Sequence, residues 1–506
     1  MRKFKIIFMK KALLLCLLTL SNLAISQTNS SLQVSISKEY KDEVKSIDVI
    51  AIHTFKDEET AVVRNGKKSF LFDIFDNKLD KIFSTVIKSD KNERYVGDLF
   101  YNNQLKLFTV YAPKKDYRIL YCHTLDVTTK THKKTIVFET SVEKKQNLFG
   151  SRKNHNTSFS LSPNGNYFAI ATDNVKKNKN SYTIRVFDAK TEKLIYKKAY
   201  QEDQNRNYEH NDLFLYDDTS VYSLGKFYLD GKSNKKLNGD ANYQFVLNKI
   251  TKDHTTELAI NLDDEHIQSL NLFQSNNQLH ILGFYSELNV DRIKGGCDFS
   301  IDLDDFSIKS KKTNALPKQV YEDLYGEKTA ERKNNKKKEL RNFTIDYTLT
   351  NADGSTFLIA EEFYITQVYV ANGMTGGTWQ TVYHYDDILI LKFNANGNLS
   401  WGRSIFKRSN TPSYNAFIKD NKLHVILNSG KNLTEKKDGR TKMSKGWFES
   451  TALYDVEFTV NGDVHYNKIQ DNKNKEFYLP YYGTYNTEKF IMMSSGRRKK
   501  TFMILQ

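Results

Sequence analysis

Two pairs of adjacent carboxylates, Glu361–Glu362 and Asp386–Asp387, have the residue types for acid/base chemistry. The first pair ends one β-like run and the second begins the next, so a hairpin between them would draw all four together. Paired carboxylates can serve acid/base work on a glycoside or hold a cation. Neighbours along a strand point to opposite faces, so at most one of each pair faces inward. No His-Glu-x-x-His, P-loop, Cys-x-x-Cys or Gly-x-Ser-x-Gly pattern occurs. "NADG" at 351–354 lacks the ligand spacing of a calcium loop and reads as a hairpin turn. His210, His266, His280, His384 and His424 are scattered without ligand spacing and read as surface or satisfied core residues. The sequence therefore points to no catalytic residue, no metal and no cofactor, and a non-enzymatic protein is the first reading.

Residues suited to binding lie between the strands. The segment "VYVANGMTGGTWQTVYHYDD" (368–387) has no Lys or Arg. It offers Tyr369, Trp379, Tyr383, His384 and Tyr385, with Gly373, Gly376 and Gly377 for mobility. Flat amphipathic rings suit stacking on sugars or anchoring a protein partner. The plainer alternative is a long β-hairpin whose aromatics pack on a neighbouring sheet. The other long connections are basic: Lys436, Lys437 and Arg440, then Arg497 and Arg498, with Arg64 and Arg118 in earlier repeats. On one common face they would form a positive field for an anionic surface. The alternative is that they serve solubility.

The elements that must position these residues repeat along the chain. Apolar-alternating strands running into a polar turn end at Phe75, Leu125, Phe187, Ile250, Leu303, Phe393, Phe458 and Leu505. Another β-like run precedes each, such as "SVYSLGKFY", "QLHILGFY" and "KLHVILNSG". Four antiparallel strands repeated every ~40–60 residues predict the blades of an all-β propeller. Eight blades fit the eight ends, with seven as the alternative and two stacked sandwiches as a different solution. The final unit runs out of chain after its third strand, so "LQVSIS" (32–37) is expected to complete it and close the ring. In "ILILKFNANGNLSW" (388–401), Ile388, Ile390 and Lys392 should face one side, Leu389, Leu391 and Phe393 the other, and Trp401 should pack between blades. The insertion 313–342 is read as a short helix, from the i,i+4 pairs Val320/Leu324 and Tyr321/Tyr325, followed by a mobile charged arm.

One repeat carries a resemblance. In "LSPNGNYFAIATDNVKKNKNSYTIRVFDAKTEKLIY" (161–196), Ser162–Gly165 stands at the Ser-Pro-Asp-Gly turn and Ile184–Asp188 at the Ile-x-Val-Trp-Asp strand, with Phe187 for Trp. This resembles a WD40-type or TolB-type blade and implies a propeller fold. The stretch "LIAEEFY…DDILILKFNANGNLSWGRSIFK" resembles exported propeller-like proteins of Bacteroidota. That resemblance implies no catalytic residue.

The N-terminus bounds the location. "MKKALLLCLLTLSNLAIS" has a basic start, an apolar run and a small-x-small end, so residues 1–26 read as a signal peptide, with Met9 as a second possible start. The propeller domain would then be 27–506. The formal charge of the chain is +16, and Arg2, Lys3, Lys5, Lys10 and Lys11 belong to the leader, which leaves about +11. Such an excess favours anionic partners. Cys122 and Cys297 are no disulfide framework and read as buried strand residues. The expected role is a binding or scaffold module of the cell envelope, engaging a protein complex or an anionic glycan surface. The location would be the periplasm, the outer membrane or the exterior, with no transmembrane helix, peripheral membrane association and no nucleic acid partner. The alternative is a carbohydrate-active enzyme, glycosidase or lyase in type, with carboxylates near a central funnel, or a polyanion binder.

Overall fold

The computed structural model describes residues 31–506 apart from 56–57, 115–116, 142–156, 177–178, 201–206, 230–235, 238–239, 290, 372–376, 439, 444–448 and 487. The expected leader, 1–26, and the tip glycines Gly373 and Gly376 lie outside the described residues. Eight four-stranded antiparallel sheets follow one another along the chain. Numbered in order, sheet one begins at Ser46–Thr54, two at Arg94–Tyr101, three at Thr157–Leu161 and four at Asn207–Leu215. Sheet five begins at His266–Ser275, six at Phe343–Thr350, seven at Tyr414–Lys419 and eight at Thr484–Tyr485. Every anchor from Phe75 to Leu505 falls at or within one residue of the end of a third strand.

The strands pack as their alternation dictates. Each buried face meets the next sheet, so the apolar core divides into clusters at successive interfaces. Ile388 and Ile390 join the cluster between sheets six and seven. Leu389, Leu391 and Phe393 join the one between sheets five and six. Trp401 sits against Phe357 of sheet six and Phe458 of sheet seven, at 5.7 and 6.0 Å between ring centres. A further cluster joins Val49, Val62 and Phe75 of sheet one to Ile491, Met493 and Phe502 of sheet eight. The outer strand of sheet eight is Val34–Ile36, paired antiparallel with Phe502–Leu505. This arrangement is consistent with a β-propeller.

Everything added to the four-strand plan lies between second and third strands or between sheets. An antiparallel meander places both kinds of connection at the same end. Two-residue ladders form there, such as Thr434–Glu435 with Thr441–Lys442. Helix α1, Lys318–Tyr325, buries Val320, Tyr321 and Leu324, and Arg403 of sheet six grips its Asp323. The expected mobile arm after it is instead a second helix, α2, Glu327–Asn335, fixed by the fully buried Ala330. Among the described residues no helix is long and apolar enough to cross a membrane. Cys122 and Cys297 are buried and unbridged, and burial pushes the Cys122 thiol up to about 12.

The first strands carry β-bulges at corresponding places. Extra residues Val96, Asn211, Gln268 and Asp346 interrupt the registers of sheets two, four, five and six. All four line one central cavity of about 760 Å³. A bulge re-aims a side chain, and here it aims four toward the same space. Side chains tie these strands sheet to sheet. Asn211 donates to the Leu270 carbonyl (2.5 Å), and Asp212 accepts from the Leu272 N–H (2.8 Å). Tyr414 donates to Asp346 (2.8 Å), and Thr484 donates to the Val49 carbonyl (2.9 Å).

Candidate functional site

Sheet six contains the element that stands out. Its middle strands, Thr356–Ala371 and Gly377–Phe393, are 16 and 17 residues long, against 8 and 7 for their partners Phe343–Thr350 and Leu399–Ile405. Beyond Phe363 and Tyr385 the two pair only with each other. The result is a two-stranded arm reaching roughly 30 Å at ~3.3 Å per residue. Residues 363–385 contain no Asp, Glu, Lys or Arg, in a chain that is 27% charged.

Register sorts the arm's side chains into two faces. The pairs Phe363/Tyr385 and Ile365/Tyr383 share one; Tyr364/His384 and Thr366/Val382 share the other. On the first face Ile365 is 51% exposed, Tyr383 48% and Trp379 68%. Tyr369 stands opposite Trp379 in the register. Packing against a neighbouring sheet would have covered Trp379 and Tyr383, and it does not. The other two aromatics are spent within the arm. His384 stacks on Tyr364 at 4.4 Å and bonds Thr366 Oγ1 at 2.8 Å. Tyr385 leans on Phe363 at 4.9 Å.

Three of the four carboxylates, Glu362, Asp386 and Asp387, act on one another at the root of the arm. Glu361 accepts from Lys407 Nζ at 2.9 Å, both side chains being 2% exposed. Asp386 accepts from Arg408 (2.6 Å) and the Tyr364 hydroxyl (2.8 Å). Asp387 accepts the Lys407 N–H at 3.1 Å. Burial pushes Asp387 up to about 8; Arg408 opposes this, while Glu362 and Asp386 add to it. Burial also raises Glu362. The group is a tethered base for the arm, largely occupied by its own cations. It makes a testable prediction. The folded value of Asp387 lies above its ordinary 3.8, so its contribution is full below pH ~4 and is lost as pH rises through about 8. Asp387→Asn should flatten the fall in stability between pH 5 and 8, about the span between those two values, read as urea midpoints across that range. An unchanged slope would refute the assignment.

The basic residues are less uniform than their sequence implies. Arg64 and Arg118 are fully buried. Arg440 pairs with Asp438, donates to the Leu324 carbonyl at the end of α1 and lies over Phe406 at 4.4 Å. Lys436, half-buried, lies over the same ring at 4.8 Å. These two hold a loop in place rather than face a partner. Lys437, Arg497 and Arg498 are exposed.

Two of the histidines sit in matching buried pairs. His424 and His280 each take an aspartate of the adjacent strand, Asp455 at 3.0 Å and Asp298 at 3.1 Å, and stack on Phe417 and Phe273. Glu457 lies near enough to His424 and Asp455 for the three to hold a metal ion. It is engaged by Lys422 (2.9 Å) and Ser31 (2.6 Å), and the His–Asp pair recurs in sheet five, so the cluster is read as a repeated packing unit. The polar residues around the central cavity, including Glu209, Asp212 and Asp346, are what sequence reasoning missed. The signal for them was a glycine inside a strand: Gly225 pairs with His210 beside the bulge at Asn211, and Gly283 pairs with Leu270, two residues past the bulge at Gln268.

No protein-family model matches the chain, and no curated sequence matches it. Solved structures similar to it include prolyl oligopeptidase B from Galerina marginata with a macrocyclization substrate. That similarity has 9% identity and a TM-score of 0.41, covering 90% of this chain and 55% of that one. The chain thus spans about half the length of that protein. The β-propeller domain of the Trilobed protease from Pyrococcus furiosus has 11% identity and a TM-score of 0.35, covering 70% and 94%. An oligogalacturonate lyase from Vibrio parahaemolyticus has 7% identity and a TM-score of 0.36, covering 95% and 98%. Likeness of this order says nothing about the chemistry of this chain.

Proposed function

We propose that the protein is an eight-bladed β-propeller, closed by its own N-terminal strand, that docks a partner protein through the arm of sheet six. The eight sheets and the cluster joining the eighth to the first support the architecture. The observation that carries the function is the uncharged arm with Trp379 and Tyr383 uncovered. Aromatic residues of this kind supply most of the energy at protein interfaces. The leader-like residues 1–26 support export, and the envelope is the proposed setting, with the partner an envelope protein complex. Exposed Lys437, Arg497 and Arg498 at the same end would add attraction to an acidic surface on that partner.

The test is a crosslinked pull-down of the tagged protein from envelope fractions. One defined complex should be recovered. Trp379→Ala and Tyr383→Ala should each weaken it by about 30-fold, the effect of losing ~2 kcal/mol at a hot spot. Thermal midpoints of both variants should match the parent, because neither ring is packed into the body. A fall in the midpoint with binding intact would mean that the arm's aromatics serve stability.

A further inference from the structure

A serine and a histidine meet on the wall of the central cavity. Ser158 belongs to the first strand of sheet three, Thr157–Leu161, and lines the cavity. It is half-buried, and its Oγ lies 3.0 Å from Nε2 of His210, on the first strand of sheet four. His210 is 3% exposed. Its other ring nitrogen, Nδ1, lies 3.1 Å from the Ser223 hydroxyl, which bonds the Tyr200 hydroxyl at 2.7 Å. With the Nδ1 proton donated to Ser223, Nε2 is left to accept from Ser158. A hydroxyl bonded to a base whose far side is held by a third group is the arrangement that activates a nucleophile.

The strands explain why these groups converge. Alternation sends Phe159 against Phe108 of sheet two, and Ser158 and Ser160 toward sheet four. The Tyr182 hydroxyl accepts the His210 N–H at 3.1 Å, and its ring lies 5.4 Å from the imidazole. The ladder also sets the backbone around Ser158. The Ser162 N–H bonds the Tyr167 carbonyl, and bonded pairs alternate along an antiparallel ladder, so Ser158 and Ala171 form a bonded pair. Phe159 then turns its N–H to the free edge of the sheet, beside the cavity it lines. The N–H of the residue after a nucleophile can receive the charge of an oxyanion.

We infer that Ser158 and His210 are the nucleophile and general base of an esterase site in the central cavity, with Ser223 as a positioning residue. Ser158 Oγ attacks the ester carbonyl carbon while its proton passes to His210 Nε2. The bond from that carbon to the alcohol oxygen breaks, and the alcohol leaves with the proton. Water, deprotonated by His210, then cleaves the acyl-serine and returns the proton to Ser158. The group bonded to Nδ1 is a hydroxyl, so the imidazolium gains less support than an aspartate would give it. That suits esters over amides, because an alcohol is the easier leaving group. The lining carries Glu209, Asp212 and Asp346 against Lys226, an excess of negative charge that opposes anionic substrates. The substrate class is therefore a small carboxylic ester without negative charge. The site is separate from the docking arm, so the two stand or fall independently.

The experiment is labelling of the full chain with diisopropyl fluorophosphate, followed by peptide mapping. Ser158 should take up the phosphoryl group with loss of fluoride, and protein unfolded in urea should take up none. Ser158→Ala should abolish the adduct. His210→Gln should slow labelling by about 100-fold or more, the usual effect of losing a general base. Ser223→Ala should slow it about tenfold, as expected for one lost hydrogen bond. Should His210→Gln not fold, the Ser223→Ala rate decides. A pair that serves packing alone would shift thermal midpoints in these variants and leave no adduct in the parent. Para-nitrophenyl acetate should be hydrolysed faster than its anionic hemisuccinate counterpart. No adduct at Ser158, an equal adduct in unfolded protein, unchanged labelling in the folded variants, or preference for the anionic ester would each overturn the inference.

Discussion

Arg64→Met should lower stability by about 3–5 kcal/mol, the usual result of removing one partner from a buried ionic group. Arg64 has no solvent exposure and bonds Asp42 at 2.6 Å and Asp73 at 2.6 Å. Its guanidinium also lies over Tyr40 and Phe502, 5.5 and 5.4 Å from the ring centres. One side chain therefore knits the segment after the N-terminal strand, the first sheet and the last strand. Without it two buried carboxylates face each other, relieved by Lys81 at 3.6 and 3.3 Å and by the hydroxyls of Ser46 and Ser84. Lys81 places the expected loss toward the lower end of that range. Arg64→Met combined with Asp42→Asn and Asp73→Asn should recover most of the loss, since the penalty lies in stranded charge. Arg64→Lys should fall between, because an ammonium cannot reproduce the fork that serves both carboxylates. Urea midpoints of the four proteins decide it. A single variant with the parent's midpoint would show that the cluster contributes nothing.

Gly283→Ala should be as damaging by a different route. A Cβ at 283 would stand 1.8 Å from the Ser269 carbonyl oxygen and 2.9 Å from Leu270 Cα. Both are backbone atoms of the neighbouring bulged strand, so relief requires that strand to move away from its partner. The expected cost exceeds about 4 kcal/mol, enough to abolish soluble expression in a marginally stable fold. Gly165→Ala is the control. Gly165 has φ +72° with open space around it, so only backbone strain of about 1 kcal/mol opposes a side chain there. Soluble yield, and circular dichroism melts of the protein that folds, should separate the two clearly. Equal small shifts would mean that the first strand moves more easily than its packing implies.

These residues show where sequence reading succeeds and where it stops. Alternation put Ile388 and Leu389 on opposite sides, because a strand has only two, and the structure packs the two sides against different neighbouring sheets. It placed Trp401 between sheets for the same reason. It failed on the arginines. A guanidinium's charge is visible in sequence, but the carboxylates that enclose Arg64 come from 22 residues before it and 9 residues after it. The arm was read as an aromatic loop because turn residues mark where strands reverse and not how far they have left their sheet. The bulges were legible in part: "SLGKFY" and "ILGFYS" each carry a glycine inside a run that otherwise reads as strand. The polar wall they create lies on four different first strands, and no local pattern joins Asn211 to Asp346.

The pairing of Val34–Ile36 with Phe502–Leu505 has a kinetic consequence. The other seven sheets are each built from consecutive strands and can form by local contacts. The eighth must bring together segments separated by almost the whole chain, and contacts of that span form slowly and last. Until they form, the edge strand Phe502–Leu505 has a bare row of backbone groups. A chain in which this pairing is not yet made has an open strand edge. An open seam of this kind pairs readily with the seam of another copy. Yield of the native protein should therefore fall with concentration during refolding, even where the finished structure is stable.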